Sequence, residues 1–365
     1  MRTIYLLVCL LSGLGACKKN ATPTPDPASS AAYFPPIGGT DWATTTPESL
    51  GWATGNLAPL YDYLRQTNTR AFLVLKDGRI VLETYFGQNI ANTAAFDRNS
   101  LWYWASAGKT LTGFVVGKAQ EDKHLTLSQP TATYLGAGWT TLPAAKEQAI
   151  TIRHQLTMTT GLDDAGANPA DTRPAALRYK ADAGTRWAYH NAPYTLLNAV
   201  VSKAVGQPFE TYFDAVLKSK IGMDGRWQQI DNDIVYFSTP RSMARFGLLM
   251  LNRANWNGQA ILADQAYLTA SLSTSQNLNL SYGYLWWLNG KASAMVPQSQ
   301  MVFPAMLTPS APADMVAAMG KNGQLLNIVP TKGLVVIRMG DVPDGSFVPI
   351  AYQTEIWTRL SQVVR

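Results

Sequence analysis

The sequence predicts an α+β fold: an antiparallel sheet assembled from both chain ends, flanked by helices, with a mostly helical lobe inserted between them. Three observations carry this. Strand-like apolar runs cluster at 71–86 and return at 284–339; the stretch from about 110 to 275 shows helical spacing and turn-rich loops; and an amphipathic segment closes the chain at 350–364. With 365 residues, 47% hydrophobic and 15% charged, the chain can bury a large core and does not have the composition of a disordered protein.

Taken in order, the first segment is a secretory signal. Arg2 precedes an apolar stretch, Ile4 to Leu11, followed by small residues and Leu14-Gly15-Ala16-Cys17. That ending is similar to a bacterial lipobox, which implies a signal peptide over 1–16 and a lipid on the thiol of Cys17. A multi-chain lipid anchor holds a protein firmly on a membrane. Export to the bacterial cell envelope as a lipoprotein is therefore the expected localisation. The other cysteine, Cys9, lies inside the removed segment, so the mature domain is expected to have no disulfide, no thiol nucleophile and no Cys-based metal site. Residues 17–40, with Pro23, Pro25 and Pro27, read as a semi-rigid tether, and 41–365 as a single domain.

Within the domain, Phe72-Leu73-Val74-Leu75 and Ile80-Val81-Leu82 flank Asp77-Gly78, a strong hairpin signal. Helices are predicted over Leu111–Ala119 and Tyr194–Val205, the second stopping at Gly206. Strands are predicted over 284–288, 315–319, 324–329 and 334–339, with Pro330-Thr331-Lys332-Gly333 as the turn before the last. A helix over 350–364 ends the chain. The net charge of +6 comes from scattered Lys and Arg, which predicts no nucleic-acid partner.

The chemistry centres on Ser106-Ala107-Gly108-Lys109. A serine hydroxyl needs a base to become a nucleophile at neutral pH. Residues i and i+3 share a helix face, so Lys109 would hold its amine over Ser106, and desolvation would weaken its grip on a proton. Tyr189-His190-Asn191 follows just ahead of a helix, bringing a phenol that can relay a proton and an amide that can hold a substrate. Lys321-Asn322-Gly323, followed by Gln324, lies between two strands, with a cation for a substrate carboxylate.

In this order the three motifs resemble those of the serine β-lactamase and penicillin-binding-protein superfamily, in its class C β-lactamase, D-alanyl-D-alanine carboxypeptidase and esterase branch. The tyrosine motif marks that branch, while Asn322 stands where the family usually carries Thr or Ser. Residues 150–162, 241–247 and 282–287 are similar to further family segments, so the resemblance spans roughly 41–365. It implies an acyl-enzyme on Ser106, general acid–base work shared by Lys109 and Tyr189, and substrate positioning by Asn191, Lys321, Asn322 and Gly323. It also implies an oxyanion hole from the backbone N–H groups of Ser106 and Gln324. No cofactor or metal is implied.

Competing arrangements are weaker. Gly-x-Ser-x-Gly is absent around Ser106, where Trp104 takes the place of the first glycine. His154 reads as structural, and His190 as a neighbour able to tune Tyr189. Trp102, Trp104, Trp187, Trp286 and Trp287 are candidates for an apolar acyl pocket. The expected substrate is a small molecule or peptide with an amide, ester or β-lactam bond, and a D-alanyl-D-alanine carboxypeptidase is the alternative. A non-catalytic lipoprotein that binds wall fragments is the reading of a different class.

Overall fold

The computed structural model describes residues 32–166, 168–343 and 348–364. The signal segment, Cys17 and most of the tether lie outside them. From residue 32 onward the chain forms one compact unit. The end of the predicted tether belongs to it. Tyr33 N–H donates to the Asp77 carbonyl (2.9 Å), Phe34 meets Trp256 edge-on at 5.2 Å, and Arg245 donates to the Pro36 carbonyl (2.7 Å). Residues 33–39 are thus part of the domain surface, drawn in by aromatic burial that a Pro-rich composition does not reveal.

The main sheet is antiparallel with order β2-β1-β11-β10-β9-β8. β1 (Thr69–Lys76) and β2 (Arg79–Tyr85) come from the N-terminal side. β8 (Trp287–Leu288), β9 (Val316–Gly320), β10 (Gln324–Val329) and β11 (Leu334–Gly340) come from the C-terminal side. The two ends meet where β1 pairs with β11, Val74 opposite Val336. This confirms the predicted architecture. Asp77 (φ 48) and Gly78 (φ 83) turn the β1–β2 hairpin in the left-handed conformation that such two-residue turns require.

Helix Pro240–Leu251 lies against β1, β10 and β11, while Leu57–Gln66 and the C-terminal helix Ile350–Val363 pack on each other. Helix Lys109–Glu121 is buried almost all round, from Lys109 through Gly117, and packs against helix Asn191–Val205. It therefore belongs to the core of the helical lobe rather than to its surface.

Two expectations change. The strand predicted over 284–288 shrinks to β8, because Leu285 takes φ 63 and breaks the extended backbone. The helical lobe also contains a sheet that the sequence reading missed: β3 (Trp102–Tyr103), β5 (Asp233–Ser238) and β4 (Arg226–Ile230), in that order. A short ribbon, β6 (Asn255–Trp256) with β7 (Gln259–Ala260), completes the strands. Among the described residues, no helix is long and apolar enough to cross a membrane.

Candidate active site

Ser106 sits on a 3-10 turn, Ala105–Gly108, that runs directly into helix Lys109–Glu121. The turn is entered through Ala105 at φ 46, a conformation that L-residues with a Cβ rarely adopt. Its neighbours hold it there. Trp104 N–H donates to the Tyr236 carbonyl (2.8 Å), and the Trp104 indole N–H donates to Ser238 Oγ (2.7 Å). Strained backbone of this kind persists only where the surroundings over-determine it.

Lys109 Nζ lies 2.9 Å from Ser106 Oγ. The amine is buried, with the ring faces of Tyr194 at 4.3 Å and Tyr189 at 5.1 Å. Burial pulls its pKa from 10.5 down to about 8, against an opposing pull from the Asp233 carboxylate. Tyr189 reaches the same point from a separate loop. Its ring stacks on Trp287 at 5.7 Å and meets Tyr282 edge-on at 6.3 Å. Burial pushes the phenol up, and the hydrogen bond with Ser106 opposes that shift. Residues 106, 109 and 189 therefore converge.

Ser106 and Lys109 open into a cavity of about 300 Å³ that Asn191, Tyr194 and Lys321 also line, together with Asn168–Ala170 and the β4–β5 hairpin; Tyr189 is not among its lining residues. Asn191 is the first residue of helix Asn191–Val205, and its Oδ1 is shielded from solvent without a hydrogen-bond partner. The sequence reading missed Tyr194 and the hairpin residues Ile230, Asp233, Ile234 and Val235. Tyr194 could have been found from its spacing, because it lies one helical turn beyond Asn191.

The third motif divides. Lys321 is exposed and lines the cavity, but its neighbours turn away. Asn322 Nδ2 donates to the Tyr103 hydroxyl (2.8 Å). Gly323 packs under Arg338 and Tyr352. Gln324 is fully buried, its carboxamide donating to the Gly340 carbonyl (2.6 Å), and it does not line the cavity. Asn322 stands at φ 64, which asparagine tolerates and a β-branched threonine does not, so the backbone accounts for the departure from the family residue. What brings this hairpin to the nucleophile is Gly320. A Cβ there would lie 2.4 Å from the Trp104 carbonyl oxygen and 3.1 Å from Ser106 N. Only a glycine lets β9 come so close, and it leaves Lys321 beside the Ser106 backbone.

The remaining candidates are structural. All five tryptophans are buried at 4% exposure or less, and none lines the cavity, so they form core rather than an acyl pocket. Trp287 still matters, because it carries Tyr189. His154 completes a capping box with Thr151 at the start of helix Ile152–Leu156. His190 is buried, with its pKa lowered to about 4 by desolvation, so it is neutral at pH 7. Among the described residues no His, Cys, Asp and Glu are grouped as a metal site would need.

Comparisons with known proteins agree with this fold. The beta-lactamase family model matches residues 62–345. Three solved structures share the fold. One is a protein described as a 6-aminohexanoate-dimer hydrolase from Bacillus anthracis (19% identity, TM-score 0.63, covering 84% of this chain and 83% of that one). Another is a penicillin-binding protein from Bacillus halodurans (18%, 0.59, 81% and 98%). The third is a penicillin-binding-protein homologue from Caulobacter crescentus (12%, 0.65, 84% and 97%). A family model covering most of the chain, over a sheet drawn from both chain ends with a serine–lysine turn beside it, places this protein in the β-lactamase family of the serine β-lactamase and penicillin-binding-protein superfamily.

Proposed function

We propose that the protein is a serine hydrolase that cleaves amide or ester bonds through an acyl-enzyme on Ser106. The observation that carries this is the 2.9 Å contact between Ser106 Oγ and a buried lysine whose pKa is drawn down to about 8. The free amine is then populated near neutral pH and takes the Ser106 proton as Oγ bonds to the substrate carbonyl carbon. The carbonyl electron pair moves onto oxygen. The backbone N–H of Ser106 would donate to that oxyanion, joined by that of Lys321 rather than Gln324, a choice supported by the close approach of Gly320 to Ser106 N and by Lys321, not Gln324, lining the cavity. Preorganised donors of this kind contribute about 3 kcal/mol each.

As the intermediate collapses, the leaving amine or alcohol takes a proton from Lys109 through the Tyr189 phenol. Water repeats the sequence and frees the acid. Burial keeps Tyr189 protonated, which favours Lys109 as base and Tyr189 as relay. Asn191, which lines the cavity, positions the substrate in this reading.

A second reading, D-alanyl-D-alanine carboxypeptidase, draws on Lys321, which offers a cation to a terminal carboxylate in the same cavity. Export with lipid attachment at Cys17 completes the proposal. Metabolic labelling with a fatty acid, lost in Cys17→Ser, checks that part.

The test of the catalytic reading is intact-protein mass spectrometry with p-nitrophenyl esters and with penicillin. An acyl adduct or turnover that Ser106→Ala abolishes is expected. If the native protein forms no adduct and turns over nothing that depends on Ser106, a non-catalytic binding role takes its place.

A further inference from the structure

The small sheet beside the nucleophile has an edge that the chain leaves uncovered. β3 runs along β5 with Trp102 opposite Ser238 and Tyr103 opposite Phe237. The same register continues for one more step, where Trp104 N–H donates to the Tyr236 carbonyl (2.8 Å). Ala105, at φ 46, then turns the chain out of the sheet and into the 3-10 turn that carries Ser106. β5 keeps going. Its remaining residues, Asp233, Ile234 and Val235, line the catalytic cavity together with Ala105 and Ser106. The cavity occupies the place that a longer β3 would fill.

The groups that β5 presents there follow from the alternation of an antiparallel ladder, in which successive residues aim their N–H and C=O to opposite sides of the strand. The bond from Trp104 shows that Tyr236 faces the β3 side, so Ile234, two residues away, faces it too. The other edge of β5 agrees. Asp231-Asn232 is a two-residue turn that closes on the pair Ile230–Asp233, which exchanges hydrogen bonds across the hairpin. The next pair, Gln229–Ile234, is then one that does not. Ile234 therefore turns both its N–H and its C=O to the open edge. Among the described residues, no backbone group outside the sheet bonds to either.

Backbone groups on a cavity wall call for partners, and a strand edge takes them from an added strand. The pairing has one geometry: a single partner residue donates its N–H and accepts with its C=O, the two separated by one α-carbon. We propose that Ile234 is a specificity-determining residue whose main chain selects substrates with an extended α-aminoacyl residue next to the one that carries the scissile carbonyl. Units with a longer spacer hold the two groups too far apart to make both bonds. The proposal deepens the reading of Ser106 as nucleophile and, for turnover, rests on it.

The experiment compares p-nitrophenyl esters of acetylglycylglycine, of acetylglycolylglycine, in which an oxygen replaces the outer amide N–H, and of acetyl-β-alanylglycine, in which one methylene is added. The expected kcat/KM is highest for the first, by about fivefold over either of the others, the worth of one main-chain hydrogen bond. Proline at this position deletes the N–H that faces the open edge and leaves the β4 ladder intact. The ratio of kcat/KM for the acetylglycylglycine ester to that for p-nitrophenyl acetate, which is too short to reach the edge, should fall about fivefold in Ile234→Pro. Ile234→Ala, which keeps the backbone, should hold the ratio. Equal values for the three esters, or the same ratio in the two variants, overturn the proposal. The ester series decides by itself if the proline variant does not fold.

Binding separates this outcome from failure of the nucleophile reading. If p-nitrophenyl acetate is not turned over, calorimetry of the Ser106→Ala protein with acetylglycylglycinamide and acetylglycolylglycinamide reads the pairing without chemistry. Tighter binding of the first supports the role of Ile234, and equal binding refutes it.

Discussion

Two buried cations, Lys109 at the start of the helix after the nucleophile turn and Arg338 in β11, differ in how they are satisfied. Arg338 is saturated. Its guanidinium donates to the carbonyls of Asn322 (2.6 Å), Thr67 (2.7 Å), Asp341 (3.0 Å) and Gly323 (3.1 Å), and to Thr69 Oγ (3.1 Å), with the Tyr352 ring at 5.0 Å. Lys109 has one hydrogen bond, to Ser106, and two ring faces. A fully bonded guanidinium stays charged and clamps the Lys321–Gly323 turn. An under-solvated amine can give up its proton. Equal burial therefore produces a clamp in one place and a base in the other: a guanidinium keeps its proton in a protein, while a buried amine with a single hydrogen bond can release it.

Substitution breaks this comparison in opposite directions. Lys109→Met is expected to reduce acylation by about a thousandfold or more, the scale of losing a base that acts as a unit with its nucleophile, measured by burst kinetics. Stability moves the other way. The wild type pays for the buried charge in full below pH 8 and gains stability as pH rises from about 8 toward 10.5, where the unfolded chain binds the proton that the folded one has released. The Met variant lacks this gain, so thermal melts of the two proteins should differ most at pH 6 to 7 and converge at high pH.

Arg338→Met leaves several buried carbonyls unpaired and is expected to cost about 4 kcal/mol, seen as a fall in the denaturation midpoint. The acid limb of its surviving activity should stay where it is in the wild type. Tyr194→Leu removes the nearer ring face from Lys109. Since that face favours the charged amine, the acid limb of the pH–rate profile should move down by about half a unit. Asn322→Thr places a β-branched residue at φ 64 and should cost about 1 kcal/mol of stability, read by denaturant melts, with little change in kcat.

Much of this was readable before the structure. The serine–lysine pair needs only local geometry, because a spacing of three along a helical start fixes the contact wherever the turn sits. The Asp77-Gly78 hairpin carried its own turn chemistry. The third motif was not local in this sense. Whether Lys321, Asn322, Gly323 or Gln324 faces the cavity depends on strand register and on the close approach at Gly320, and neither is written in the tripeptide. The β4–β5 hairpin escaped because Arg226-Trp227-Gln228-Gln229-Ile230 has no apolar alternation and its turn, Asp231-Asn232, lacks glycine. Its contribution to the cavity was lost with it. Trp187 and Trp287 were readable as important, but not as core supports of Tyr189, since an aromatic beside a motif looks the same whether it lines a cavity or carries a catalytic ring.

The most direct measurement is the pH dependence of the acylation rate, followed by rapid-quench mass spectrometry with a p-nitrophenyl ester. The account predicts a rate that rises through a single limb centred near pH 8, the point to which burial draws the Lys109 amine, and that vanishes in Lys109→Met. A limb centred near 10, or full acylation in the Met variant, would contradict it.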